Sequence, residues 1–194
     1  MPNRPTLMLP PELERRCIEV RSEVKGNRIT GYAAVFNERA DIGPYFEVLA
    51  PTAFDAVLAN PATDVRAFLD HDSGKLLGRQ SSGTLRLSTD TRGLHFEVDL
   101  PDTSAGRDAR ELINRGDMTG VSFGFKPDQE TWDTYEGRDL RTHLSIARLV
   151  EISPVSLPAY SGTSVALRAK PADVITGRTQ IIRARARVNL SKGK

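Results

Sequence analysis

Cysteine is nearly absent: Cys17 is the only one in 194 residues. That excludes an internal disulfide framework and a structural zinc site built from thiolates, and it fits a reducing compartment. Long apolar runs are missing too. None approaches the 18 or more residues of a membrane span, and Met1–Glu14, interrupted by Pro2, Pro5, Pro10 and Pro11, lacks the apolar stretch of a secretory signal. The expectation is a non-secreted protein with no membrane partner. Acids are lacking at the end of the chain. After Asp173 come six cations (Arg178, Arg183, Arg185, Arg187, Lys192 and Lys194) and no acid, so the formal charge of +2 hides a body of net −4. A body of that sign is no general polyanion binder; the tail is either a solvated end or a surface for nucleic acid or an acidic protein. Histidine is scarce as well, with only His71, His95 and His143 to serve any chemistry that needs an imidazole.

What is present is an ordinary globular composition, with 39% hydrophobic and 27% charged residues and many turn-formers, 15 Gly and 12 Pro. The length suits one domain that buries a core without staples. We expect a leader at 1–14, a domain at 15–170 and a basic tail at 171–194. Within the domain, Ile18–Val24 and Arg28–Phe36 are β-rich and meet at Lys25-Gly26-Asn27, a hairpin signal. Tyr45–Leu49 reads as a strand, and Pro51–Leu58 as a short helix. Val65, Ala67, Leu69 and His71 share one face of an extended run. Thr84–Ser88 and Leu94–Leu100 read as neighbouring antiparallel strands, with Leu94, Phe96, Val98 and Leu100 inward and His95 to solvent. Ser104–Arg115 is a helix stopped by Gly116. Strands return at Thr119–Lys126, Glu130–Tyr135 and Leu140–Ile152. Strand and helix do not alternate as a parallel βαβ sheet demands, so the fold is mainly β with flanking helices (α+β), a mostly antiparallel barrel or sandwich.

The most informative stretch is Gly120-Val121-Ser122-Phe123-Gly124-Phe125. On a strand, Val121, Phe123 and Phe125 point into a core, while Ser122 points the other way between Gly120 and Gly124. A serine on a cleared face suits a nucleophile that must meet a peptide carbonyl; an edge or bulge with an ordinary serine is the bland alternative. The same residues match the Gly-x-Ser-x-Gly of an α/β-hydrolase elbow, but the required strand-turn-helix context is missing. A serine nucleophile needs a base, and the base needs a third group to hold it. His71, in Leu69-Asp70-His71-Asp72 at the end of a strand, is the best placed base. His143 and Glu151 fall on one face of a regular strand but about 26 Å apart at about 3.3 Å per residue, so only one could orient His71. Glu151 sits in a strongly apolar run and wants a partner, catalytic or structural. A metal at Asp70, His71 and Asp72 is disfavoured because adjacent strand residues point to opposite faces; no metal and no cofactor are expected.

Five motifs in order carry a resemblance: Gly31-Tyr32-Ala33-Ala34-Val35-Phe36; Phe46-Glu47-Val48-Leu49-Ala50-Pro51 with Ala53-Phe54; Leu69-Asp70-His71-Asp72 with Leu77-Gly78-Arg79; Gly120–Phe125; and Glu151-Ile152-Ser153-Pro154-Val155 with Pro158-Ala159-Tyr160. Together, from about Arg15 to Ala169, they resemble the caudovirus prohead serine proteases. The resemblance implies a fold like the herpesvirus capsid-maturation protease, an antiparallel β-barrel flanked by helices. It implies His71 as general base and Ser122 as nucleophile. Herpesvirus relatives use a second histidine as third member, whereas phage members carry an acid in the Glu151 motif, so Glu151 is favoured over His143. The implied activity is an endopeptidase inside the procapsid in the host cytoplasm, with scaffold and the major capsid protein as substrates, trimming of itself, and an oxyanion site near the Pro158-Ala159-Tyr160 turn. Those relatives also pair to become active, which would make a homodimer a partner state, although no residue here marks its face. The basic tail would be a tether or a self-cleaved remnant. Two rival readings are a small esterase using Ser122 with His143 and Asp133 or Asp139, and a capsid-assembly or scaffolding protein without catalysis.

Overall fold

The computed structural model describes residues 13–19 and 22–156. The expected basic tail and the Pro158-Ala159-Tyr160 turn lie outside the described residues, as does most of the leader. The chain runs β1 (Glu14–Glu19), β2 (Glu23–Lys25), β3 (Arg28–Val35), β4 (Ala40–Asp41), β5 (Tyr45–Leu49), α1 (Asp55–Ala59), β6 (Arg66–Leu69), β7 (Asp72–Arg79), β8 (Leu85–Thr89), β9 (Gly93–Asp99), α2 (Ser104–Arg115), β10 (Gly120–Pro127), β11 (Glu130–Tyr135), β12 (Arg138–His143) and β13 (Ile146–Val155). Three sheets form, ordered β1-β10-β13-β6-β7, β11-β12-β5-β4 and β2-β3-β9-β8.

Local chemistry accounts for most boundaries. In β9, Leu94, Phe96 and Val98 are fully buried while His95 and Glu97 alternate on the outer face. Helix α2 starts where the Thr103 side chain accepts from the Gly106 N–H, and it stops at Gly116, whose φ of 78° is the left-handed conformation that glycine adopts without steric cost. The β2–β3 hairpin turns at Gly26, also at positive φ.

Three expectations need correction. Leu140–Ile152 is not one strand. Leu144 and Ser145 both donate backbone N–H groups to Gln129 O, and the Ser145 hydroxyl donates to Asp128, so the chain turns between β12 and β13 and the two halves enter different sheets. The strands form three open sheets and not the closed barrel expected. Most pairings are antiparallel as expected, but β12 pairs parallel with β5 and β13 parallel with β6. The Pro51–Leu58 helix is shorter and later than read, since residues 51–54 form a turn and α1 begins at Asp55.

One core lies between the sheets. Val121, Phe123, Phe125, Ile152 and Ala67 enter from the first sheet, Ile29, Leu94, Phe96 and Val98 from the third, and Phe54 from the start of α1. Phe54 meets Phe123 edge-on at 5.9 Å between ring centroids, and Phe123 stacks on Phe125 at 5.1 Å. Replacing Phe96, which has no exposed surface, by alanine should lower stability by about 3–5 kcal/mol through lost burial and a cavity; urea unfolding checks this, and an unchanged midpoint would place the core elsewhere.

Candidate active site

Strand alternation divides the first sheet into two faces. Val121, Phe123 and Phe125 of β10 face the core, so Ser122 and Gly124 face the other way, as the sequence pattern predicts. Register then sets two rows on that second face. Ser122 lies opposite Cys17 on β1 and Ser153 on β13; Gly124 lies opposite Arg15 on β1 and Glu151 on β13. The rows are two residues apart along β10, about 6.8 Å at about 3.4 Å per residue.

Glu151 dominates this face. It has no exposed surface, and one of its oxygens, Oε1, accepts from His71 Nδ1 at 3.0 Å, Arg15 Nε at 2.9 Å and Arg15 Nη2 at 2.8 Å. Its other oxygen accepts from the Ser153 hydroxyl at 3.2 Å. Burial pushes the Glu151 pKa up, but the hydrogen bond from His71 together with the Arg15 guanidinium outweighs burial and holds it below the ordinary glutamate value. Gly124 makes room for this. A Cβ there would stand 2.9 Å from Glu151 Cγ and 3.2 Å from Oε1. The glycine that reads in sequence as clearance for a ligand is filled in the structure by the carboxylate.

His71 reaches Glu151 from a strained turn. Asp70 and His71 form the two-residue link between β6 and β7, with φ of 50° and 59°. Two left-handed residues in succession are what a type I′ turn requires, and Asn-Gly is its usual sequence. A histidine in that region costs about 1–2 kcal/mol, so neighbouring contacts must hold it. The Asp70 N–H donates to Pro154 O at 3.0 Å, and the Asp70 carboxylate accepts from the Ser156 N–H at 2.8 Å and from its hydroxyl. The turn is thereby pinned to the end of β13, four residues beyond Glu151.

The structure therefore brings His71 and Glu151 into contact and sets Ser122 on the same face one row away. A model of the caudovirus prohead serine proteases matches residues 13–176. The chain belongs to this family. It is accordingly a serine peptidase of the capsid-maturation class. No curated protein and no solved structure matches the chain.

Among the histidines of this peptidase, His143 is placed differently from the expectation. It ends β12, has no exposed surface, meets Phe125 edge-on at 5.3 Å and sets Nε2 3.0 Å from Glu47 Oε2. Phe125 lies on the core face of β10, opposite to Ser122. The carboxylate at His143 is that of Glu47, where the esterase reading called for Asp133 or Asp139, and Ser122 sits within a strand that runs on to Pro127 instead of at a strand-turn-helix elbow. His95 is half-buried on the outer face of β9, with Nε2 2.9 Å from the Thr30 hydroxyl.

A second group of charges lies on the core side of β1. Arg141, with no exposed surface, donates from Nη1 to Glu14 at 2.9 Å and from Nε to Glu130 at 2.9 Å, and Arg16 donates from Nη2 to Glu47 at 2.7 Å. Ligand atoms of Glu14, Glu47 and His143 lie within 4.8 Å of one another. Both carboxylates are already engaged by guanidinium groups, whose charge repels a cation, so this is an ion-pair cluster and a poor metal cage. The disfavoured triplet at the turn is equally engaged: Asp70 accepts from Ser156 and Asp72 from the Gly74 N–H.

Sequence reasoning missed Arg15 and Ser153. Ser153 was within reach, being two residues from Glu151 and so on its face of the strand. Arg15 gave no signal, because its contact crosses two strand spacings and 136 residues.

The ion-pair cluster predicts a measurable stability. Arg141→Met strands Glu14 and Glu130 without their main cation and should cost about 3–5 kcal/mol in urea unfolding. The carboxyls of Glu14, Glu47 and Glu151 are each held below the ordinary value of 4.5. Their contribution is complete above that pH and is lost as the pH falls through the folded-state values, so stability should decline on acidification below about 4.5 and decline less in Arg141→Met. A wild-type stability that rises on acidification would contradict the assignment.

Proposed function

We propose that the chain is the maturation endopeptidase of a tailed-phage prohead, with Ser122 as nucleophile, His71 as general base and Glu151 as the group that orients the base. The observation that carries this is the 3.0 Å contact of His71 Nδ1 with a fully buried carboxylate, on the sheet face that also bears Ser122. Membership of the prohead protease family supports the reaction class.

The chemistry follows from the hydrogen bond. With Nδ1–H donating to Glu151 Oε1, the free imidazole keeps Nε2 unprotonated as the base. His71 Nε2 takes the Ser122 hydroxyl proton while Oγ attacks the scissile carbonyl. The resulting imidazolium returns that proton to the leaving amine as the peptide bond breaks, giving an acyl-enzyme and a free amino terminus. Water, deprotonated by His71 in turn, releases the acyl group as a carboxylic acid and restores Ser122. Backbone N–H groups would stabilise the oxyanion; the expected Pro158-Ala159-Tyr160 turn lies outside the described residues. In this reading His143, held by Glu47, belongs to the packing of β12.

The substrates are scaffold and the N-terminal scaffolding segment of the major capsid protein, met inside the procapsid in the host cytoplasm, and the chain trims itself. These follow from the class of enzyme. Among the described residues no helix is long and apolar enough to cross a membrane. We retain residues 15–170 as the protease domain.

A fluorophosphonate probe, which phosphonylates an activated serine with loss of fluoride, tests the assignment. Labelling and cleavage of co-expressed capsid protein should both vanish in Ser122→Ala and His71→Ala. Glu151→Gln, which keeps the shape and removes the charge, should slow labelling about 10²- to 10⁴-fold. Labelling that persists in Ser122→Ala would remove the nucleophile. Ester hydrolysis that depends on His143 would favour an esterase, and a folded wild-type chain that is never labelled would favour a purely assembly role.

A further inference from the structure

Among the described residues three cation-bearing side chains stand near the buried Glu151 carboxylate, and the one whose charge is permanent and set directly on it is Arg15. His71, from the β6–β7 turn, must be neutral to act as a base. Arg66 on β6 is the register partner of Glu151, but its Nη2 is directed to Asp64 Oδ2 at 3.5 Å. Arg15, from β1, sets both Nε and Nη2 on Oε1, the oxygen that also takes His71 Nδ1. Among the described residues the other partners of the carboxylate are uncharged: Ser153 on β13 donates to Oε2, and Gly124 on β10 lies beneath, while the titratable thiol of Cys17 on β1 belongs to the next row, opposite Ser122. Gly124 also explains the reach. It is the register partner of both Arg15 and Glu151, so the two side chains meet over the one position of β10 that has no Cβ.

A carboxylate without access to water requires a cation. If Arg15 were absent, the nearest cation would be His71 in its imidazolium form, which cannot accept a proton from serine. We propose that Arg15, presented by the edge strand β1, is a positioning residue: it serves as the counter-ion of Glu151, so that Glu151 orients the His71 ring without holding it as an imidazolium. The proposal rests on the catalytic roles given above to Ser122, His71 and Glu151. It makes the docking of β1 against β10 a condition of activity, since β1 makes no direct contribution of nucleophile or base.

The rate of fluorophosphonate labelling of the full chain, followed against pH, separates the two claims. Arg15→Gln should lower the plateau rate about 10- to 100-fold through loss of orientation. It should also move the acidic limb of the profile to higher pH by about half to one unit, because removing a cation favours the protonated imidazole. Arg15→Lys, which keeps the charge without the planar fork, should hold the limb near its wild-type position and recover part of the rate. Thermal unfolding of each variant reports folding independently. A merely structural Arg15 would lower the unfolding temperature and leave the acidic limb in place, and that result overturns the proposal, as does a folded Arg15→Gln with wild-type rate and limb. Failure of the catalytic reading itself is distinct: Ser122→Ala would then still be labelled, whatever Arg15 does.

Discussion

A carboxylate shut away from water must be matched by positive charge and by hydrogen-bond donors, and Glu151 sets that demand at the centre of the first sheet. The features around it answer the demand. Gly124 gives up its side chain so that the carboxylate can lie across β10. Arg15 crosses from β1 to neutralise it, Ser153 satisfies the second oxygen, and the β6–β7 turn brings His71 to the first. The left-handed conformations of Asp70 and His71 are maintained because Asp70 is tied to Pro154 and Ser156 on the same strand that carries Glu151. His71 and Glu151 are thus fixed relative to one another through β13, and Ser122 is fixed to β13 by its register with Ser153.

Strand β1 has a double engagement that follows from alternation alone. Its odd residues, Arg15 and Cys17, lie on the face of Glu151 and Ser122; its even residues, Glu14 and Arg16, enter the buried cluster with Glu47 and Arg141. Among the described residues the strand is at the edge of its sheet and pairs with β10 alone, so side-chain ion pairs on both faces supplement that ladder of backbone hydrogen bonds. Ion pairs of this kind add little net stability compared with apolar packing, but they fix register strictly, because a slip of one residue would bury unmatched charges. Register is what places Arg15 over Gly124.

How much of this was legible depended on the range of the interaction. Alternation in Gly120–Phe125 and Leu94–Leu100 reported burial correctly because a strand's period is local. Helix α2 was legible because Gly116 stops it. The face of Ser122 and the candidacy of His71 and Glu151 could be read, but their contact could not, since it depends on a turn whose Asp-His sequence is not the usual signature of left-handed geometry. Gly124 was visible as an unusual residue and misread in purpose, because nothing local says that a side chain 27 positions later will occupy its space. The run Leu140–Ile152 read as one strand since Leu144 and Ser145 carry no strong breaker; the bonds to Gln129 and Asp128 that turn the chain are tertiary. That break puts β12 and β13 in different sheets and leaves His143 beside Glu47.

The most direct test is the crystal structure of the full chain after reaction with a small fluorophosphonate. The central claim requires phosphorus bonded to Ser122 Oγ, with His71 Nε2 within about 3.2 Å of that oxygen and Nδ1 still donating to Glu151. An adduct on another residue, or an intact fold in which His71 Nε2 faces away from Ser122, would contradict it.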